Sequence, residues 1–198
     1  MPSSLSEIGI INRALAKIGD QRITSRTDNV NRARIMDDLY DGVRDELLRE
    51  SPWNFATKRT SLAADPVAPV YEWETAFAVP ADILYMVSTE NNSAYRLEGN
   101  QILSNQENSL KITYIRRVTD ATEFDTGFAE ALAAKLAYEA VSNIAADPVL
   151  EDRLFRDYNL TLSRAKKTDG QEDDPRKWPT DSWEIVRSGG QLSDTDFV

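Results

Sequence analysis

The chain has 198 residues, 41% of them hydrophobic, and a net charge of −10, so it can bury a substantial core as one domain or as one domain with an appendage. The excess of acidic residues argues against nucleic-acid binding as the main task, because affinity for phosphates needs a basic face. Cysteine and histidine are both absent, which excludes disulfides, thiolate nucleophiles and a Ser-His-Asp triad, and removes the commonest ligand of transition metals.

Two amphipathic helices are predicted in the first quarter of the chain. The first spans 4–19, where Ser4 and Glu7 form a capping box and Gly19 ends the helix. The second spans 28–50, beginning at Asp28 or a neighbour and ending at Ser51-Pro52. Their apolar stripes are Leu5, Ile8, Ile11, Leu15 and Ile18 in the first helix, and Ala33, Met36, Tyr40, Val43 and Leu47 in the second. Because such stripes usually bury against their own chain, we expect both to form core.

The helical period is lost after Trp53, where prolines and aromatic residues become frequent. A β-branched and aromatic run at 83–89 predicts one strand, and Gly99-Asn100 predicts a tight turn between strands at 95–98 and 101–103. Alternating apolar and polar residues around Ile112 predict a further, half-buried strand. We therefore predict a β lobe over 56–118, an antiparallel meander of three or four strands inserted between two pairs of helices.

A helical hairpin is predicted from two further helices, at 126–146 and 148–167. Asp147 is a good N-cap and Pro148 a good first helical residue for the second arm, which Gly170 is expected to end. Lys135 and Glu139 are expected on the solvent side of the first arm. The apolar stripes are Phe128, Leu132, Leu136, Ala140 and Ile144 in the first arm, and Leu150, Leu154, Tyr158, Leu162 and Ala165 in the second.

After Gly170 the chain becomes acidic, contains prolines and shows no regular period. We predict a main domain at 1–170 and an extended arm at 171–198. The arm carries several large apolar side chains: Trp178, Trp183, Ile185, Val186 and Phe197. They can bury either on the chain's own domain or on a partner. The predicted fold class is α+β: a mainly helical four-helix body with an inserted antiparallel β lobe and an extended C-terminal arm.

We predict no catalytic, cofactor or metal site. The sequence has no Gly-rich phosphate loop or dinucleotide fingerprint, and its acidic residues fit no EF-hand spacing. A glycosidase needs only two carboxylates, but with 33 acidic residues adjacency singles out none of the pairs Asp37-Asp38, Asp45-Glu46, Asp173-Asp174 and Asp194 with Asp196. Because no signal-peptide pattern and no apolar run of about 18 residues is present, we expect neither secretion nor a membrane span.

Short motifs spread along nearly the whole chain, in a fixed order, resemble those of a known family. They are Ala14-Leu15-Ala16-Lys17-Ile18-Gly19, Pro52-Trp53-Asn54-Phe55-Ala56, Phe77-Ala78-Val79-Pro80-Ala81-Asp82, Tyr114-Ile115-Arg116-Arg117-Val118 before Phe124-Asp125, Phe128 with Ala131-Leu132-Ala133, and Asp181-Ser182-Trp183 with Arg187. Taken together they resemble the podoviral head-to-tail adaptors, the family often called tail tubular protein A.

The resemblance implies a structural virion protein with a helical bundle, a β lobe and a C-terminal arm. Proteins of this family form rings, dodecameric in the family, between the portal protein and a tail nozzle of the tail tubular protein B type, and DNA passes through the centre without specific binding. The implied location is the head-tail junction of the virion, and the host cytoplasm during assembly. The residues expected to dock on the portal or on a neighbouring subunit are Trp178, Trp183, Ile185, Arg187 and Phe197.

Two alternative functions stay open at the level of the sequence. One is a cell-wall polymer hydrolase that uses a carboxylate pair, because such an activity has been suggested for some relatives of this type. The other is a small non-viral binding module, which would be a monomer without a tendency to form rings.

Overall fold

Four helices and six strands form the part of the chain that the structure, a computed structural model, describes: residues 5–172. The helices are α1 (Glu7–Ile18), α2 (Asn31–Arg49), α3 (Thr126–Ile144) and α4 (Pro148–Gln171). The strands are β1 (Thr57–Ala63), β2 (Thr75–Ala78), β3 (Ile83–Thr89), β4 (Tyr95–Glu98), β5 (Gln101–Ser104) and β6 (Ser109–Arg116). The fold is therefore mixed α+β, as predicted.

Helix α3 is the central helix of the fold, because α1, α2 and α4 all pack against it. Its residues 131–137 are buried without interruption, so the helix has no solvent side along these two turns. Alanine occupies many of these positions, and its small side chain lets neighbouring helices approach closely. The apolar stripe that the sequence predicts is confirmed, but it is only part of the buried surface.

Lys135 is buried, and its predicted place on the solvent side of α3 is wrong. Its Nζ atom lies 2.8 Å from the carboxylate of Glu46 on α2 and 5.6 Å from the ring centre of Tyr158 on α4. An ion pair and an aromatic face together offset the cost of removing an ammonium group from water. Glu139, one helical turn further, is exposed as predicted.

The N-termini of α1 and α2 differ from the predicted ones, whereas α3 and α4 begin at the predicted residues, Thr126 and Pro148. Helix α1 begins at Glu7, and its N-cap is Ser6, whose Oγ accepts a 3.0 Å hydrogen bond from the Gly9 amide; the predicted start at Ser4 is wrong. Helix α2 begins at Asn31 rather than at 28, because the Asp28 carboxylate accepts hydrogen bonds from the Thr24 and Ser25 amides of the preceding turn.

Some of the predicted C-terminal ends of the helices are confirmed, and others are wrong. Gly19 ends α1 in the left-handed conformation, at φ 89°, as predicted. The break at Asp147-Pro148 is also confirmed, since Asp147 caps α4 by accepting from the Val149 amide. Helix α4 does not end at 167 or at Gly170 but continues to Gln171, and Asp169 in its last turn hydrogen-bonds to Asn54.

The β region contains two antiparallel sheets, not one meander of three or four strands. The strand order is β1-β6-β3 in the first sheet and β2-β5-β4 in the second. Only the β4–β5 hairpin joins sequence neighbours, at the predicted turn, where Gly99 has φ 55°. Strand β1 pairs with β6 over its whole length although nearly fifty residues separate them in sequence, a pairing that no local pattern specifies.

The first sheet lies between the helices and the second sheet. Successive side chains of a strand point to opposite faces, and β6 uses this alternation: Ile115 joins the main core with the helices, whereas Ile112 and Tyr114 join a smaller core. The smaller core also contains Phe77 of β2 and Ile102 of β5. The two sheets and the four helices are therefore connected through β6.

Candidate interaction surfaces

The docking residues predicted from the sequence lie outside the residues that the structure describes. These residues are Trp178, Trp183, Ile185, Arg187 and Phe197, all beyond Glu172. Their role therefore stays a prediction, and the surfaces described below are those of residues 5–172.

The motif Pro52-Trp53-Asn54-Phe55-Ala56 forms the junction between the helices and the first sheet. Trp53 and Phe55 pack against Phe128 of α3 with ring centres 5.2 and 5.0 Å apart, and Phe124 lies 4.9 Å from the same ring. The angles between ring planes, 61–81°, are those of favourable edge-to-face contacts. The indole N–H of Trp53 donates to the Leu47 carbonyl at 2.9 Å. Motif residues that are distant in sequence thus meet in one buried cluster.

Asn54 connects this junction to the end of α4. Its amide N–H donates to Asp169 Oδ1 at 3.1 Å, and its side-chain Nδ2 donates to the Asp169 carbonyl at 2.9 Å. Two hydrogen bonds from one residue fix both the position and the orientation of the last turn of α4. The point at which the chain leaves the described part, at Glu172, is therefore held beside the start of β1.

The β1–β2 loop (residues 64–74) exposes apolar side chains that the sequence analysis did not single out. Val70 is 97% exposed, Tyr71 74% and Val67 71%. The loop covers a concavity of about 340 Å³ against the β4–β5 hairpin. The buried indole N–H of Trp73 has no hydrogen-bond partner among the described residues. The only sequence signal was the density of proline and aromatic residues, which marks an irregular segment but does not say which side chains face solvent.

The α4 outer face (Val149, Arg153, Arg156, Leu160, Arg164 and Lys167) is the second exposed surface that sequence analysis missed. These residues follow one another at helical spacing and lie opposite the buried stripe that contains Leu154 and Tyr158. Val149 is 80% exposed and Leu160 51%. Four cations on one face are unusual in a chain with a net charge of −10. The face is therefore both basic and partly apolar.

Two carboxylates with lowered pKa values connect parts of the fold. Burial raises the pKa of Glu50, but hydrogen bonds from Lys166 and Tyr158 on α4 outweigh this effect, so the pKa lies below its usual value. Burial likewise raises the pKa of Asp82, and hydrogen bonds from Lys58 and Tyr114 lower it by more. Both carboxylates are therefore charged acceptors that hold neighbouring elements together.

The carboxylate pairs considered for hydrolysis lie on the surface of α2 or outside the described residues. Asp37 and Asp38 are exposed. Asp45 and Glu46 each pair with a buried cation: Arg44 for Asp45 and Lys135 for Glu46. The remaining pairs, Asp173-Asp174 and Asp194 with Asp196, lie beyond residue 172.

A concavity of about 380 Å³, lined mostly by polar residues, lies on the first sheet, on the face that also carries Ile115 of β6. Arg59 of β1, Lys111 and Thr113 of β6 and Thr89 of β3 line it. Lys111 forms an ion pair with Glu90 at 2.8 Å, and the concavity is open to solvent. Within residues 5–172, no three or more acidic side chains come together in a way that could hold a metal ion.

None of the helices between residues 5 and 172 is both long enough and apolar enough to cross a bilayer. Comparison of the chain with models of known protein families and with curated proteins finds no match. The resemblance to head-to-tail adaptors therefore stays a prediction based on the motifs.

Proposed function

We propose that this chain is a structural subunit of a virion, a head-to-tail adaptor that forms a ring between the portal and the tail nozzle. The observation that carries the proposal is that apolar side chains stand exposed on two separate elements, the β1–β2 loop and the α4 outer face. Val70 and Tyr71 of the loop are adjacent and exposed, and neighbouring exposed apolar residues on a folded protein are typical of protein–protein contacts. A subunit of a closed ring needs at least two contact surfaces, one for each neighbour.

The architecture supports the same function. In our proposal the helices act as one four-helix body, built around the buried helix α3. The aromatic cluster of Trp53, Phe55, Phe124 and Phe128 joins this body to the β lobe. A subunit of this kind acts by shape and adhesion, and its contacts need neither a nucleophile nor a cofactor.

The C-terminal arm completes the proposed contacts. Asn54 holds the end of α4, so the arm starts from a fixed point at Glu172. We propose that Trp178, Trp183, Ile185, Arg187 and Phe197 dock on the portal or on the neighbouring subunit, because buried aromatic and arginine side chains supply most of the binding energy in such contacts. The DNA would pass through the ring without specific binding.

Electron microscopy of the purified protein, alone and mixed with the portal protein of the same genome, tests the function. We expect rings seated on the portal. A full-length variant with Trp178→Ala, Trp183→Ala and Arg187→Ala should lose portal binding while its thermal unfolding stays unchanged. A Tyr95→Ala variant, which removes a partly exposed aromatic residue of β4, serves as the control and should bind the portal normally.

The hydrolase alternative is tested with the same purified protein. Saturable turnover of a cell-wall polymer that a single carboxylate-to-amide change abolishes would overturn the structural function. A protein that stays monomeric and never binds the portal would also overturn the structural function, and would favour a binding module.

A further inference from the structure

We propose that the β1–β2 loop of one copy docks on the α4 outer face of the next copy, in a head-to-tail contact. The inference rests on the proposed function, which requires contacts between copies, and it names the two surfaces that meet. Within residues 5–172 neither surface is covered, since Val70, Tyr71, Val149 and Leu160 all remain exposed.

The charges of the α4 outer face define what it can bind. Arg156 pairs with Asp152 one turn earlier. Arg153, Arg164 and Lys167 have no ion-pair partner among the residues that the structure describes. Their spacing covers about 20 Å of helix at about 1.5 Å per residue. A row of cations beside exposed Val149 and Leu160 fits a partner that is acidic and apolar at once.

The β1–β2 loop has this chemistry. It carries three acidic residues, Asp65, Glu72 and Glu74, and no lysine or arginine. Asp65 accepts a 3.0 Å hydrogen bond from the Val67 amide and so shapes the loop, whereas Glu72 and Glu74 are exposed. Val70 and Tyr71 lie between these acids and supply the apolar part of the contact.

The proposed contact also implies a type of assembly. Each subunit offers its loop to one neighbour and its α4 outer face to the other, which makes the contact heterologous. A heterologous contact repeats from one subunit to the next and gives a closed ring when the rotation closes. A second copy of this chain is therefore the partner that satisfies both surfaces of every subunit.

Charge reversal on each surface tests the contact in the full-length protein. One variant carries Glu72→Lys and Glu74→Lys in the loop, and the other carries Arg153→Glu and Arg164→Glu on α4. Each variant alone places like charges opposite each other, so self-association measured by sedimentation equilibrium should weaken by about tenfold or more. An equimolar mixture of the two should associate again, because every contact in an alternating assembly is then complementary.

The matched control carries Arg22→Glu and Arg59→Glu, which change the net charge by the same amount as the α4 variant, at two exposed arginines outside both surfaces. It should associate like the native protein. Added salt should weaken native association, since it screens exposed charges.

Three results would overturn the contact: variants that associate normally, a mixture that does not recover, or a control that is impaired to the same degree. A native protein that shows no self-association up to its solubility limit would overturn it too. Electron microscopy of the protein mixed with the portal tests the proposed function independently of the contact. Normal rings formed by the charge-reversed variants would reject the contact and keep the adaptor, whereas the absence of rings on the portal would reject the adaptor itself.

Discussion

At the scale of single residues, ionised side chains join elements that are far apart in sequence. Glu50 at the end of α2 accepts a 3.0 Å hydrogen bond from the Tyr158 hydroxyl and pairs with Lys166 at 3.1 Å, both on α4. Lys135 of α3 lies over the ring of the same Tyr158. Burial raises the pKa of Tyr158, so its hydroxyl remains a donor. Three helices thus meet at one polar cluster.

We expect Glu50 to make stability depend on pH. The pKa of Glu50 is lowered in the folded state. Its contribution to the free energy of unfolding is therefore complete above its ordinary pKa of 4.5 and is lost as the pH falls through the folded-state pKa. Glu50→Gln should lower the free energy of unfolding by about 1 kcal/mol at neutral pH, because Tyr158 and Lys166 lose a charged acceptor. The difference from the native protein should shrink as the pH falls below 4.5 and through the lowered pKa of the folded state.

Urea denaturation at a series of pH values measures this difference. Lys166→Met removes one of the causes of the lowered pKa of Glu50 and should give part of the same loss of stability. A constant difference between native protein and Glu50→Gln across the whole acid range would contradict the prediction.

At the scale of elements, the contact between α3 and α4 depends on the absence of a side chain. A Cβ atom on Gly127 would lie 2.9 Å from the capping carboxylate of Asp125 and 3.2 Å from Cβ of Ala165 on α4. Asp125 is the N-cap of α3 and accepts from the Gly127 amide at 2.7 Å. The start of α3 can therefore be both capped and closely packed only with glycine at this position.

Gly127→Ala should destabilise the protein by about 1 to 3 kcal/mol, because an added methyl group forces apart two packed helices or displaces the cap. Gly42→Ala is the matched control within α2, where nothing lies within 4 Å of the added Cβ. That change should raise the free energy of unfolding by about 0.5 to 1 kcal/mol through helix propensity. Equal effects of the two substitutions in urea denaturation would refute this account of the α3–α4 contact.

The helices were largely predictable from the sequence, and the sheets only in part. Apolar periodicity and the Asp147-Pro148 break are local signals, and all four helices lie where these signals predict them. The pairing of β1 with β6 joins distant segments, and the exposed residues Lys58 and Arg59 of β1 give no apolar alternation to reveal it. The buried position of Lys135 was unpredictable for the same reason, since it depends on Glu46 and on Tyr158, both supplied by other helices.

The candidate interaction surfaces were harder to predict than the fold. The predicted apolar stripe of α4 already implies that the cations lie on its opposite side, but no sequence signal marks them as a binding surface. The loop residues Val70 and Tyr71 became candidates only when their exposure was known. Exposure is a property of tertiary packing, and one sequence carries no direct signal for it.

At the scale of the whole molecule, the sequence left open whether the arm packs on its own domain or on a partner. Both hydrophobic clusters already contain large buried residues from within 5–172, such as Trp53, Phe128 and Phe77. We therefore expect a chain that ends at Glu172 to fold cooperatively, with a free energy of unfolding within about 0.5 kcal/mol of the full-length value. Circular dichroism and urea denaturation measure this directly.

The shortened chain should keep its fold but lose portal binding. A large loss of stability would instead show that the arm packs on its own domain, and the docking residues would then have a structural role. The Trp178→Ala, Trp183→Ala and Arg187→Ala variant provides the matched comparison, since it keeps the full chain length.

The hydrogen bonds between Asn54 and Asp169 determine how tension on the C-terminus would reach the rest of the protein. A force applied beyond residue 172 would reach the last turn of α4 and, through Asn54, the junction of helices and first sheet, where aromatic rings pack around Phe128. The pull would then be shared between the helices and the first sheet instead of acting on α4 alone. In the proposed ring, such a subunit would keep its shape when a partner pulls on its C-terminal arm.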